Sequence, residues 1–126
     1  MIQKGTRLNI VDNSGAKIVE CIHVYGKRKY IYAYPGDIIM TSIKRLRKSL
    51  KKTKVKKSQI CPALVVATTK EVSRKTGITI KSKINNAIIL NKEAKLPLAN
   101  RFIASIWIEV REKGFAKAIA MAKGIL

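Results

Sequence analysis

The sequence predicts a mainly β fold, a small closed β-barrel followed by a short C-terminal helical region. Short apolar stretches with strand-like patterning recur through about the first 91 residues, and turn-forming residues separate them. After Pro97 the pattern changes, and the apolar spacing becomes helical from Phe115 onward. Five or six short strands joined by hairpins favour a closed barrel, because closure removes exposed strand edges. At 126 residues the chain predicts one domain, with the barrel over about 1–91 and the helical part over about 92–126.

The first hairpin is predicted from two stretches of alternating side chains. Residues 6–11 alternate apolar and polar types, as in a half-buried strand. Residues 12–15 are Asp-Asn-Ser-Gly, which favours a turn. Residues 16–25 then predict a strand with two faces, one carrying Ile18, Glu20, Ile22 and Val24 and the other carrying Val19, Cys21 and His23.

Three further strands are predicted over residues 37–43, 60–69 and 86–91. The second of them has a continuous apolar centre at 63–67, which suits a strand buried on both faces.

After Pro97, residues 102–110 are predicted to be strand-like or irregular, with Trp107 on the core. One helix is predicted over residues 113–123, packed on the barrel through Phe115 and Ile119 and ended by a C-terminal cap at Gly124.

Basic residues are concentrated at three predicted hairpin tips. Residues 27–29 form a basic turn that is followed by tyrosines at 30, 32 and 34. Residues 44–57 contain nine Lys or Arg and no acid, and residues 70–83 surround Thr76-Gly77 with cations. The residues predicted to bind nucleic acid, the lysines mostly through phosphate and the arginines through bidentate or stacking contacts, are Lys27, Arg28, Lys29, Lys44, Arg45, Arg47, Lys48, Lys51, Lys52, Lys54, Lys56, Lys57, Arg74, Lys75, Lys81 and Lys83.

The formal charge of +20 predicts a polyanionic partner. Nucleic-acid phosphate and an anionic membrane both attract a protein with such charge. The membrane is the weaker alternative, because no apolar run has the length of a transmembrane helix. Lysine outnumbers arginine 20 to 7, which favours phosphate contacts over base recognition.

The acidic, histidine and cysteine residues that catalysis or metal binding would need are scattered along the chain. The sequence therefore predicts no enzyme activity, cofactor or metal site. Glu109 and Glu112 are the acids that lie close together, and we interpret them as salt-bridge partners of Arg111 and Lys113. His23 is interpreted as a satisfied core or interface histidine. Cys21 and Cys61 are predicted to be buried free thiols, because a structural zinc site usually needs four ligands.

Several motifs together resemble one known family over nearly the whole chain. The most specific are DNSGA at residues 12–16 and GDII at 36–39. The others are residues 1–3, 8–9, 21–22, 43–44, 54–57 and 63–66, with Asn85, Asn91, Pro97, Arg101, Glu109 and Arg111. In this order they resemble the family of ribosomal protein fourteen of the large subunit.

The resemblance implies a five-stranded barrel with a projecting β-ribbon and a small helical C-terminal part. It implies binding to large-subunit ribosomal RNA near the subunit interface, a bridge to small-subunit RNA, and contacts with neighbouring ribosomal proteins. A ribosome-silencing factor is a further implied partner. The residues expected to make intersubunit or protein contacts are Arg101, Arg111, Lys113 and Lys117. The alternative function is that of a free-standing small-barrel protein that binds single-stranded nucleic acid.

The chain departs from the family pattern at several positions. Ser58, Ile84 and Ala99 stand where the family usually has glycine, Ser82 replaces an aromatic residue, and Asn100 replaces the threonine before Arg101. This divergence, with abundant Lys, Ile and Asn, resembles a mitochondrial ribosomal protein encoded in the organelle. The start of the chain does not resemble a presequence, which fits that expectation. The bacterial cytoplasm is the alternative location.

Overall fold

The fold is a closed five-stranded barrel with a helical layer against one side. This computed structural model describes residues 2–25, 32–48, 54–93 and 96–126. The elements are β1 (Arg7–Ile10), β2 (Ala16–Val24), β3 (Ile38–Leu46), β4 (Ile60–Ala67), β5 (Val72–Ser73), β6 (Thr79–Ile80), β7 (Asn86–Ile89), α1 (Ile108–Glu112) and α2 (Ala116–Met121). The barrel order is β1-β2-β3-β4-β7, and β5 and β6 form a separate hairpin. The mainly β class and the barrel predicted from the sequence are confirmed.

The barrel closes through a parallel pairing between its first and last strands. Asn9 lies beside Asn86 and Ile10 beside Ala87, whereas the other four strand pairs are antiparallel. The predicted alternation in β1 is confirmed, since Leu8 and Ile10 are buried in the barrel interior. Each large aliphatic side chain buried in this way contributes about 1.5–3 kcal/mol.

The apolar run in β4 is explained by two cores on opposite sides of the strand. Ala63 and Val65 belong to the interior of the barrel. Leu64 and Val66 instead pack in a second cluster, whose members from the C-terminal layer are Phe102, Ile106, Val110 and Ala118. The prediction of a strand buried on both faces is therefore confirmed.

The predicted faces of β2 are wrong at its C-terminal end. The pairing of β2 with β3 is irregular in three places, one of them between Cys21 and His23. A bulge there inserts one residue, so the next buried side chain after Cys21 is Val24. His23 is exposed and makes an edge-to-face contact with Tyr25, with ring centroids 5.5 Å apart. The core alternative for His23 is therefore wrong, and the interface alternative stays a prediction.

The C-terminal layer contains two short helices, which corrects the single helix predicted over 113–123. Gly114 has a φ of +94° and separates α1 from α2. The predicted cap at Gly124 is also wrong, because α2 ends at Met121 and its C-cap residue, Ala122, has extended backbone. Trp107 is buried as predicted, and Phe115 and Ile119 pack against the second cluster as expected.

The GDII motif joins the barrel to this layer. Gly36 has a φ of +94° and donates its N–H to the carbonyl of Val65 at 2.8 Å. A Cβ at Gly36 would lie 3.1 Å from the carbonyl oxygen of Glu109 and 2.5 Å from Cγ of Lys113. Glycine therefore serves two purposes here, since it accepts the left-handed backbone and lets α1 approach. Asp37 also forms an ion pair with Lys113, with the charged atoms 4.0 Å apart.

Candidate nucleic-acid interface

The end of β3 carries the first part of the basic loop into a groove lined by positive charge. The strand continues to Leu46, three residues beyond its predicted end, so Lys44 and Arg45 lie on the strand itself. The residues that line the groove are Lys17, Lys44, Arg45, Leu46, Arg47, Lys48 and Lys57. The groove thus brings together two parts of the predicted loop that are nine residues apart, Lys48 and Lys57.

Little of the charge in this groove is neutralised by the described part of the chain. Lys44 pairs with Glu20 at 3.6 Å, and both side chains are partly exposed, at 44% and 31%. An ion pair of this kind is worth little, because water and salt screen it. Six cations against one carboxylate give the groove an excess positive charge, which favours phosphate.

The base of the basic loop is anchored to the turn at residues 12–15. The N–H of Arg47 donates to the carbonyl of Gly15 at 2.8 Å, and the N–H of Lys54 donates to that of Ser14 at 2.9 Å. The Arg47 guanidinium also donates from Nη2 to the carbonyl of Ile10 at 2.7 Å. Val55 is buried in the barrel core. The loop therefore leaves and rejoins the barrel at one point, and residues 49–53, with Lys51 and Lys52, lie outside the described residues.

Asp12 holds that turn in place. Its carboxylate is fully buried and accepts hydrogen bonds from the N–H and hydroxyl of Ser14, at 3.0 and 2.5 Å. Its second oxygen accepts from the N–H of Ile89 at 2.9 Å. Both oxygens thus have partners, as a buried carboxylate requires. This network gives the DNSGA motif a physical role, because it ties the turn to β7.

Ser58 lies where the chain returns from the basic loop to β4, and it has a φ of +65°. A left-handed backbone costs a non-glycine residue about 1–2 kcal/mol of stability. Glycine avoids this cost, but it loses more conformational freedom on folding, which cancels part of the gain. We expect Ser58→Gly to raise the free energy of unfolding by about 0.5–1 kcal/mol, and the melting temperature by about 2–5 °C.

Thermal denaturation followed by circular dichroism measures this change. Ser73→Gly is the control, because Ser73 lies in β5 and is outside the positive-φ set, so it should lower the melting temperature. A lower melting temperature for Ser58→Gly would contradict the explanation based on φ.

The third basic hairpin is confirmed, but part of its charge is used within the chain. The Arg74 guanidinium contacts both carboxylate oxygens of Glu109, at 2.8 and 3.3 Å, and donates to the carbonyl of Leu126 at 2.7 Å. The partners predicted for Glu109 are therefore wrong. Lys81 lies 3.8 Å from Glu71, and both are well exposed. Lys75 and Lys83 are exposed and available to a ligand.

The remaining predicted residues divide into two groups. Lys27, Arg28, Lys29 and Tyr30 lie outside the described residues. Arg101, Arg111, Lys113 and Lys117, expected to contact proteins, are all exposed, as are Arg45, Lys48, Lys54, Lys56 and Lys57 in the basic loop. Lys17 lines the groove but was not among the predicted residues. Its position two residues after the DNSG turn, on the strand that pairs with the basic end of β3, was the available signal.

Cys21 and Cys61 are free and buried, as predicted, and burial raises the pKa of both thiols. Both are therefore poor nucleophiles. Among the described residues, no group of three or more His, Cys, Asp or Glu side chains could hold a metal ion. Across the same ranges, no helix is both long enough and apolar enough to span a membrane.

A comparison with protein families gives one match that covers the whole chain. The family model described as Ribosomal protein L14p/L23e matches residues 1–126.

Proposed function

The chain belongs to the ribosomal protein L14p/L23e family, and from this premise we propose that it binds large-subunit ribosomal RNA near the subunit interface and helps form a bridge to small-subunit RNA. Family membership makes it a structural protein of the large ribosomal subunit, which is a non-enzymatic kind of protein. Ribosomal RNA and other ribosomal proteins are the partners that membership implies.

The single observation on which the proposal of RNA binding rests is the cationic groove beside the anchored basic loop. Six Lys or Arg residues line the groove, and Glu20 supplies a carboxylate to one of them. Two backbone hydrogen bonds and the buried Val55 fix the ends of the loop, so its cations start from a defined place on the barrel. A fixed array of cations favours the spaced charges of a phosphate backbone.

A second set of exposed cations supports protein contacts at the C-terminal layer. Arg101, Arg111, Lys113 and Lys117 are exposed, and Lys113 also pairs with Asp37. We assign these residues to intersubunit contacts, to neighbouring ribosomal proteins and to a ribosome-silencing factor. The ribosome that we propose is mitochondrial, and the alternative is a bacterial one. Location in the large subunit can be tested separately from these finer assignments.

The experiment that tests the proposal is sedimentation of the full-length protein from a lysate with high magnesium and low salt. We expect the protein to migrate with the large subunit. Recovery only in the soluble fraction, together with binding to single-stranded oligonucleotides, would favour the free-standing nucleic-acid binder instead. Chemical probing of the sedimented subunit then identifies the RNA that the protein protects.

Binding of the isolated protein to an RNA duplex should weaken steeply with salt, because each phosphate contact releases counterions. A plot of log affinity against log salt concentration should have a slope of about −0.9 for each neutralised phosphate. The double variant Lys48→Ala with Lys57→Ala removes two cations from the groove and should reduce the slope by about two. Lys92→Ala with Lys123→Ala removes the same charge from exposed positions outside the groove lining and serves as the control. Equal slopes for both double variants would contradict a role for the groove.

A further inference from the structure

The turn at residues 12–15 makes contacts in two directions. Toward the basic loop, the carbonyls of Ser14 and Gly15 accept hydrogen bonds from the N–H groups of Lys54 and Arg47. These are neighbouring carbonyls of one turn, and they hold both ends of the loop. Any displacement of Ser14 and Gly15 therefore moves the base of the loop.

Toward the C-terminal layer, the same turn holds the segment that carries Arg101. The N–H of Asn13 donates to the carbonyl of Arg101 at 3.2 Å. The side chain of Asn13 donates from Nδ2 to Oδ1 of Asn100 at 2.9 Å. Next to them, Asp12 and Phe102 form an isolated β-bridge, and the N–H of Ile103 donates to the carbonyl of Val11 at 2.7 Å.

The turn itself is stiff, because Asp12 is fully buried and bonded to both Ser14 and Ile89. A further contact joins the two sides directly, since the exposed Lys54 donates from Nζ to the carbonyl of Leu98 at 3.3 Å. Leu98 in turn donates its N–H to the carbonyl of Ile89 at 3.0 Å. One rigid turn thus holds both the basic loop and the Arg101 segment, and Lys54 of the loop also contacts Leu98, three residues before Arg101.

We propose that Asn13 is a positioning residue that couples the RNA-binding loop to the exposed surface around Arg101. The inference rests on the proposed function, because it takes the basic loop as the RNA site. A phosphate backbone bound to the loop restrains Lys54 and Arg47, and these residues restrain Ser14 and Gly15. Asn13, the next residue in the turn, passes that restraint to Asn100 and Arg101 through its main-chain and side-chain bonds. Because binding free energies are reciprocal, a partner bound at Arg101 tightens RNA binding by the same factor.

Amide hydrogen exchange of the full-length protein, with and without a saturating RNA duplex, tests this inference. In the wild-type protein the duplex should slow exchange at the amides of Arg47 and Lys54 and also at those of Asn13 and Ile103. At Ile103 we expect a slowing of about tenfold, within the usual range of coupling between sites. Asn13→Ala removes the side-chain bond to Asn100 but keeps the main-chain bond from Asn13 to Arg101. The slowing at Ile103 should therefore fall to about threefold, while slowing at Arg47 and Lys54 persists and RNA affinity stays within about twofold of wild type.

Asn100→Ala removes the same side-chain bond from its exposed end and provides a second variant if Asn13→Ala folds poorly. The double variant should lose no more coupling than either single variant, because both remove one interaction. The role of Asn13 would be overturned if RNA slowed exchange at Ile103 equally in wild type and in both single variants. It would also be overturned if RNA protected Arg47 and Lys54 in the wild-type protein without slowing exchange at Ile103. If the duplex protects neither Arg47 nor Lys54, the proposed RNA site itself fails, and the inference falls with it.

Discussion

Replacing Val65 by aspartate is expected to unfold the protein. Val65 is fully buried in the barrel interior, beside Ala87 of the neighbouring strand. Its main chain also joins β4 to the GDII turn, since its N–H donates to the carbonyl of Asp37 and its carbonyl accepts from Gly36. An unpaired carboxylate in this place costs several kcal/mol, on the order of 4–5 or more. The total stability of a domain is about 5–15 kcal/mol, so the folded state loses most or all of its margin.

Circular dichroism and the solubility of the expressed protein measure this effect. Val65→Ala is the matched control for lost packing and should cost about 2 kcal/mol while leaving a cooperative melt. Ile78→Asp places the same carboxylate on a side chain that is 62% exposed and should change stability little. A soluble Val65→Asp protein with a melting temperature near that of wild type would contradict the assignment of this core.

Replacing Lys54, Lys56 and Lys57 together by alanine is expected to impair incorporation into the large subunit. All three side chains are exposed, so their loss removes RNA contacts without opening the core. The N–H of Lys54 still reaches Ser14, and the N–H of Lys56 still reaches the Gln59 side chain at 2.9 Å. The bond from Lys54 Nζ to Leu98 is lost, at a cost of about 1 kcal/mol. Loss of three phosphate contacts should weaken RNA binding on the order of 100-fold at moderate salt.

The share of tagged protein that sediments with the large subunit measures this effect, in competition with untagged wild type. The matched control replaces Lys70, Lys92 and Lys123, three exposed lysines outside the groove lining, and removes the same charge. The control should be incorporated better than the loop variant. The control should melt close to the wild-type temperature, and the loop variant within about 5 °C of it. Equal incorporation of the loop variant and wild type would contradict the assignment of the basic loop to the RNA site.

Local patterns in the sequence were sufficient for much of the fold. The DNSG turn between β1 and β2, the buried strand at 63–67 and the third basic hairpin all follow from residues close together in the chain. The free thiols of Cys21 and Cys61 followed from composition, since too few other ligands were present for a zinc site. These predictions succeed because turn geometry and burial on a strand depend on short-range preferences.

Other features depend on contacts between distant parts of the chain. The bulge that exposes His23 comes from the pairing of β2 with β3. The pair between Arg74 and Glu109 joins residues 35 positions apart, and nothing near either residue indicates it. Lys17 and Lys57 share a groove because β2 and β3 are paired and the loop returns beside them.

By itself, the sequence determined the mainly β class, the excess of positive charge and the places where the chain turns. The tertiary structure decided which cations face one another, which of them are engaged by acids of the same chain, and how one turn holds both the basic loop and the Arg101 segment. The physical reason is distance. Backbone preference and net charge are properties of single residues and short stretches, whereas a binding surface is made by side chains that become neighbours only when the barrel closes.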